Sequence, residues 1–189
     1  EVYHEKDLLQ IKKSMEMHLN DSNVEALVFD FKHFYGNASS VLDSPGWYRS
    51  EARIIKNSIR TYAPDGLFWL VLDSNKKGRY PRAKSTGIAC YHYGWVRSEK
   101  QMNLKNNKVH NYWGVEPVKI DYSKIDQSII KEFKGSHPKI VKDWLPAGDG
   151  LYQADPDYKP TLKQKKHQII IKFEKFFGLD LSKKHYKLV

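Results

Sequence analysis

Residues 24–35, read as VEALVFDFKHFY, decide the fold class. Leu27, Val28, Phe29 and Phe31 make both sides of this segment apolar, the pattern of a strand covered on both faces in an α/β sheet. Its polar residues Asp30, Lys32 and His33 crowd toward the far end. On the N-terminal side, Asp21-Ser22-Asn23 breaks an amphipathic helix predicted over Glu5 to Leu19, where Leu8, Leu9, Ile11, Met15 and Leu19 recur at helical spacing. Beyond Tyr35 the sequence predicts a loop through Gly36 to Gly46 and a charge-dense extended stretch from Trp47 to Ile55. Two further strands follow, at Leu67 to Leu72 and Gly87 to Tyr93, separated by a basic turn from Asn75 to Lys84. Helical signals cover Ser98 to Tyr112, return after Ser136 with Pro138 in a first turn, and close the chain at Leu162 to Phe177. Between Pro146 and Pro160 lies an irregular linker.

A chain of 189 residues with 40% hydrophobic and 29% charged residues has the composition of a globular protein, which excludes disordered, collagen-like and coiled-coil classes. The longest apolar run, Leu67 to Leu72, is far too short to span a bilayer. Cys90, the single cysteine, cannot form an intrachain bridge, so a reducing compartment, the cytoplasm, is the expected location. The chain opens on Glu1, and a fragment of something longer is expected. Two features remain. The net charge is +10, and eight of the lysines stand against only Glu174 and Asp180 between Thr161 and Val189. Five Trp, twelve Tyr and eight Phe supply flat faces for rings, while the positive charge invites phosphates.

Common local signatures are missing: no Gly-rich phosphate loop, no Cys-based zinc pattern, no His-Glu-x-x-His and no Gly-x-Ser-x-Gly occurs. Asp155-Pro156-Asp157 lies in the linker and reads as a solvated turn. More informative is Tyr91-His92-Tyr93-Gly94-Trp95-Val96-Arg97, a strand that ends at a glycine before a lysine-rich helix. Ligands of open α/β sheets sit at such strand ends. There His92 can ligate a divalent metal or donate to a phosphate, Trp95 can stack, and Arg97 can grip phosphate through two bonds; a core strand with a satisfied histidine is the equal alternative. Asp30, in a buried strand, is costly unless paired or used. Glu51, between Arg49 and Arg53, reads either as a functional acid or as a charge cluster that fixes a turn.

Taken together, Phe-Asp-Phe-x-His-Phe-Tyr-Gly at 29–36, Trp-Tyr-Arg-x-Glu-x-Arg-Ile-Ile at 47–55 and His-Tyr-Gly-Trp-Val-Arg at 92–97 resemble bacterial family 2 glycosyltransferases. Gly135-Ser136-His137-Pro138 followed by Trp144 is similar to the same group's downstream segment. The resemblance implies a partial Rossmann-like GT-A nucleotide-diphospho-sugar transferase fold with a mixed sheet and a C-terminal helical extension. Residues 1–115 would be the acceptor-side half of the catalytic domain, 116–160 a helical segment and linker, and 161–189 a basic amphipathic helix and tail. Glu1 would be the last flanking acid of a metal-binding motif lying mostly upstream, so the chain alone would not transfer sugar.

The implied reaction carries a sugar from a nucleotide-diphospho-sugar to a glycan or lipid-linked acceptor with inversion, assisted by a divalent metal, Mg or Mn. By this resemblance His92 and Glu1 would contribute to the metal, and Arg97, Arg49 and Arg53 to the donor diphosphate. Tyr48, Tyr93, Trp95 and His33 would meet the sugars. A base is needed at the acceptor hydroxyl. Relatives use an adjacent Glu-Asp pair, and none occurs in this sequence, so Asp30 comes first and Glu51 second. Against the enzyme stands a basic nucleic-acid-binding module without catalysis. It is disfavoured because the charge concentrates in the tail and does not interleave with Tyr91 to Trp95. The last helix has two readings: its apolar side packs on the domain, which is favoured, or it lies peripherally on the inner face of an anionic membrane.

Overall fold

Residues 1–64, 66–75, 77–145 and 154–189 are described by the computed structural model. In chain order the elements are β1 (Val2–Tyr3), α1 (Leu8–His18), β2 (Ala26–Tyr35), β3 (Ser40–Leu42), β4 (Ser50–Ile55), β5 (Thr61–Tyr62), β6 (Leu70–Leu72), β7 (Gly78–Arg79), β8 (Arg82–Trp95), α2 (Glu99–Trp113), β9 (Ile130–Glu132), α3 (Leu162–Phe177) and β10 (Lys187–Leu188). The protein is mixed α/β, and its larger sheet combines parallel and antiparallel strands. Its residues divide into two compact units: the first holds residues 1, 33–47 and 92–181, and the second holds 2–32, 48–91 and 182–189. β2 and β8 supply residues to both.

The second unit is built on the first part of the apolar strand, residues 24–32. β2 pairs antiparallel with β4 from Ala26↔Ile55 to Asp30↔Ser50, while β8 takes β1 antiparallel and β10 parallel. Alternation along β2 sends Leu27, Phe29 and Phe31 into one cluster with Ile11, Val24, Ile88 and Cys90. Ala26 and Val28 enter another, with Ala52, Ala83 and Tyr186. Both faces are therefore covered, as the apolar pattern requires. Asp30 departs from it: its side chain is exposed, so the desolvation cost expected for a buried acid does not arise. Within the stretch expected as a basic turn, residues 78–84 hold β7 and the start of β8; β5, β6 and β7 form a separate antiparallel sheet. At its N-terminus the first helix begins as a 3-10 turn, Glu5–Asp7, before α1.

In the first unit the last residues of β2 pair with β3, His33↔Leu42 and Phe34↔Val41, and β3 pairs with β9, so the expected loop from 36 to 46 contains a strand. α2 starts where the sequence places it. The Ser98 hydroxyl accepts from the Gln101 amide, and Gly114 closes the helix in the left-handed region. Tyr35, Leu42, Met102, Tyr122, Ile125 and Ile129 form the core. The helix expected after Ser136 is only a 3-10 turn, Lys139–Val141, with Val141 buried and Ile140 exposed.

α3 spans the predicted residues and carries a capping box between Thr161 and Gln164. The face it turns inward is largely polar: Ile171 packs on the core, Gln168 Nε2 donates to Asp126 Oδ2 at 2.8 Å, and Glu174 Oε1 accepts from the Leu181 amide at 2.8 Å. Ile169, Phe173, Phe176 and Phe177 are exposed. The favoured expectation that this apolar side packs on the domain is thus overturned, because polar residues with specific partners take the inward positions.

Candidate functional site

The end of β2 and the end of β8 bring two histidines together in the first unit. His33 Nδ1 and His92 Nδ1 lie 2.9 Å apart with the rings nearly perpendicular, and His33 is 2% exposed. A hydrogen bond between two such atoms needs one N–H donor and one bare nitrogen, so at most one of the two rings is an imidazolium. Burial and then the neighbouring His33 push the His92 pKa down to about 4, with the Glu1 carboxylate acting in the opposite sense and Lys105 adding to the fall. A neutral His92 can accept a proton or ligate a metal. Its Nε2 edge lies over Gly94, where a Cβ would come within 2.7 Å of that atom. The bare backbone at 94 is therefore what lets the imidazole lie in this position.

Tryptophans surround this pair. Trp47 sits 5.3 Å from His33 and edge-on to Trp95 at 5.5 Å, and Trp95 stacks on Tyr35 at 5.8 Å. Tyr122 fixes the end of the strand by donating from its hydroxyl to the Trp95 carbonyl at 3.1 Å, and burial raises the Tyr122 pKa to about 12, so it stays a donor.

Tyr93, next along β8, belongs to a different cluster. It stacks on Phe34 at 4.6 Å with the rings almost parallel, shares a 2.8 Å hydrogen bond with His137 Nδ1, and meets Trp144 edge-on. Burial lowers the His137 pKa. Tyr93 is itself buried, so its ring is filled by protein neighbours. His137 and Trp144, both quoted from the downstream segment, are thus joined to the strand through Tyr93. Arg97 is exposed just past the end of β8.

Glu1, His33, His92, Tyr93, Trp95 and Arg97 all lie in the first unit, whereas Asp30, Tyr48, Arg49, Glu51 and Arg53 lie in the second. There the Arg53 guanidinium stands 4.8 Å over Phe31 and 5.6 Å from Tyr48, and donates to the Leu67 carbonyl at 3.1 Å. Arg49 gives its carbonyl to the Phe31 amide at 2.7 Å. Glu51 is 1% exposed; its Oε1 accepts from the Ala52 amide at 3.0 Å and its Oε2 from His185 Nδ1 at 2.6 Å. Phe68 stacks on His185 at 4.2 Å. A carboxylate held this way serves the packing of the unit, whereas Asp30 is open to solvent.

Sequence reasoning missed His185, because nothing local marks a residue 134 positions from its partner. It missed Glu25 for the same reason. Arg79 grips Glu25 through bonds of 2.6 and 2.8 Å, and Arg82 adds a third at 3.1 Å. The Arg79 contact, ahead of the opposing effect of burial, holds the Glu25 carboxyl at a pKa of about 2.

Among the described residues no group of three or more His, Cys, Asp and Glu side chains gathers closely enough to hold a metal ion, and no helix is long and apolar enough to cross a membrane. Comparison of the chain with protein-family models, curated proteins and solved structures gives no match.

Proposed function

We propose that the chain is the acceptor-side part of a GT-A type glycosyltransferase, transferring sugar from a nucleotide-diphospho-sugar to a glycan or lipid-linked acceptor with inversion. One observation carries the reading: His33, Trp47, His92 and Trp95, drawn from all three motifs, meet in the first unit as a paired imidazole beside a tryptophan wall, within electrostatic reach of Glu1. Neutral nitrogen and an acid beside flat rings are the groups a metal-assisted diphosphate site and a sugar ring require. A divalent ion there would stabilise the charge gathering on the departing diphosphate. His92 and Glu1 would supply one nitrogen and one carboxylate to it, a set that Mg or Mn accepts only with further oxygen ligands.

The chain's own part is to orient the reactants and move a proton. The acceptor hydroxyl needs a base, the role that the resemblance gives to Asp30, which is solvent-exposed in the second unit. As the base takes the proton, the acceptor oxygen bonds to the anomeric carbon. The bond from that carbon to the diphosphate oxygen breaks, and the nucleoside diphosphate leaves with the electron pair. Arg97 and the wall residues hold donor and sugar, which raises the effective concentration of the attacking group.

The test measures nucleoside diphosphate release from a panel of nucleotide sugars, with Mg or Mn and lipid-linked acceptors, using the polypeptide as translated. Donor-specific turnover that falls about 100-fold or more in His92→Ala supports the reading. Absence of turnover and of nucleotide-sugar binding, with steep salt-dependent binding of oligonucleotides in their place, would replace it with the nucleic-acid module.

A further inference from the structure

We infer that α3 is a membrane-docking helix, laying its aromatic stripe into the interface of an anionic bilayer. At about 100° per residue, Leu162, Ile169, Phe173, Phe176 and Phe177 fall within an arc of about 100°. All five are exposed, Phe176 at 82% and Ile169 at 67%. Half a turn around the helix stand Ile171 and Gln168, which meet the first unit's core and Asp126. The stripe therefore points directly away from the unit to which α3 is fastened. The phenylalanines are already in mutual contact, with Phe173 and Phe177 rings 4.2 Å apart and Phe176 and Phe177 rings 4.8 Å apart. The helix is fixed at both ends, by the Thr161 capping box and by Gly178 at φ +65°.

Charge selects the occupant. Lys163 borders the stripe on one side, Lys165 and Lys172 on the other, and Lys166 stands within it; all four are exposed. Long lysine stems lie along apolar surface and lift their ammonium groups to the level of headgroups, the arrangement of an interfacial helix on anionic lipid. A second copy of the chain would bring like charges face to face, and so fits this border poorly. The inference uses none of the residues assigned to sugar transfer and stands or falls apart from that assignment.

Co-sedimentation of the chain with phosphatidylglycerol/phosphatidylcholine vesicles, and with pure phosphatidylcholine vesicles, tests it. Binding confined to the anionic vesicles and weakened by salt is expected. It should be abolished in the double variant Phe173→Ser, Phe176→Ser, and weakened about fivefold by each of Lys165→Ala and Lys172→Ala. These side chains face solvent, so an unchanged circular-dichroism melt is expected in every variant. Should the double variant lose its fold, the lysine variants decide alone. Lack of binding to anionic vesicles, lysine variants that bind like wild type, or sedimentation showing the stripe consumed in a dimer would overturn the inference.

Discussion

His33 and His92, 59 positions apart in the chain, share one proton between Nδ1 atoms 2.9 Å from each other. If His92 acts at the reacting centre and His33 positions it, the two variants separate kinetically. His92→Ala is expected to lower kcat about 100-fold or more. His33→Ala should lower kcat about tenfold with KM for the donor little changed. His33→Asn, which keeps a short polar group, should recover part of that loss. Equal losses of thermal stability without the kcat pattern would assign the pair to packing.

Gly94 offers a finer probe of the same imidazole. A Cβ at 94 would meet His92 Nε2 at 2.7 Å and Cε1 at 2.9 Å, both at the movable end of a side chain. Gly94→Ala is therefore expected to lower Tm by only a few degrees, about 1 kcal/mol, while displacing the ring. Loss of turnover out of proportion to loss of stability is the expected result, measured by thermal melting beside nucleoside diphosphate release.

Glu51 and His185 give a stability prediction. His185→Ala leaves a carboxylate 1% exposed with the Ala52 amide as its one remaining partner among the described residues. Removing one member of a buried pair costs about 3–5 kcal/mol. Urea unfolding should show that loss for His185→Ala and a smaller one for Glu51→Gln, whose amide still meets the imidazole. A neutral His185→Ala would show that the carboxylate relaxes to water.

Acid sensitivity follows from Glu25. Its pKa falls from 4.5 to about 2 on folding, chiefly through Arg79, so the folded state holds the proton less tightly than the unfolded chain. The stabilisation is complete above about pH 4.5 and drains away as pH drops toward 2. The full shift corresponds to about 3 kcal/mol, reduced to about 2 by solvent around the partly exposed Arg79. Urea unfolding at pH 7 and pH 3 should show this slope, and Glu25→Gln should remove its Glu25 component.

Much of this architecture can be read from local pattern. The doubly apolar run of β2, the Ser98 start of α2 and the extent of α3 need only periodicity and capping chemistry. What resists reading is direction and distance. An amphipathic helix has the same sequence whether its apolar side meets a core or a lipid surface, which is why α3 was expected the other way round. Asp30 sits midway along an apolar strand and still reaches water, because the exposure of a single strand position depends on neighbours the strand does not encode. The His33 and His92 motifs were legible one by one, but their contact was not. His185 and Glu25 lack any local mark, since each is defined by partners far along the chain.

One irregularity in the second unit governs more than its size suggests. β2 and β4 pair Leu27 with Ile54 and then Val28 with Ala52, leaving Arg53 unmatched at a bulge. The unmatched residue is the one whose guanidinium lies over Phe31 and Tyr48. It also resets the parity of the strand: were the pairing regular through Arg53, Ala52 would fall opposite Phe29 and Glu51 opposite the exposed Asp30, turning the buried acid outward. The bulge thus holds the odd-even count on which the inside and outside of β4 depend.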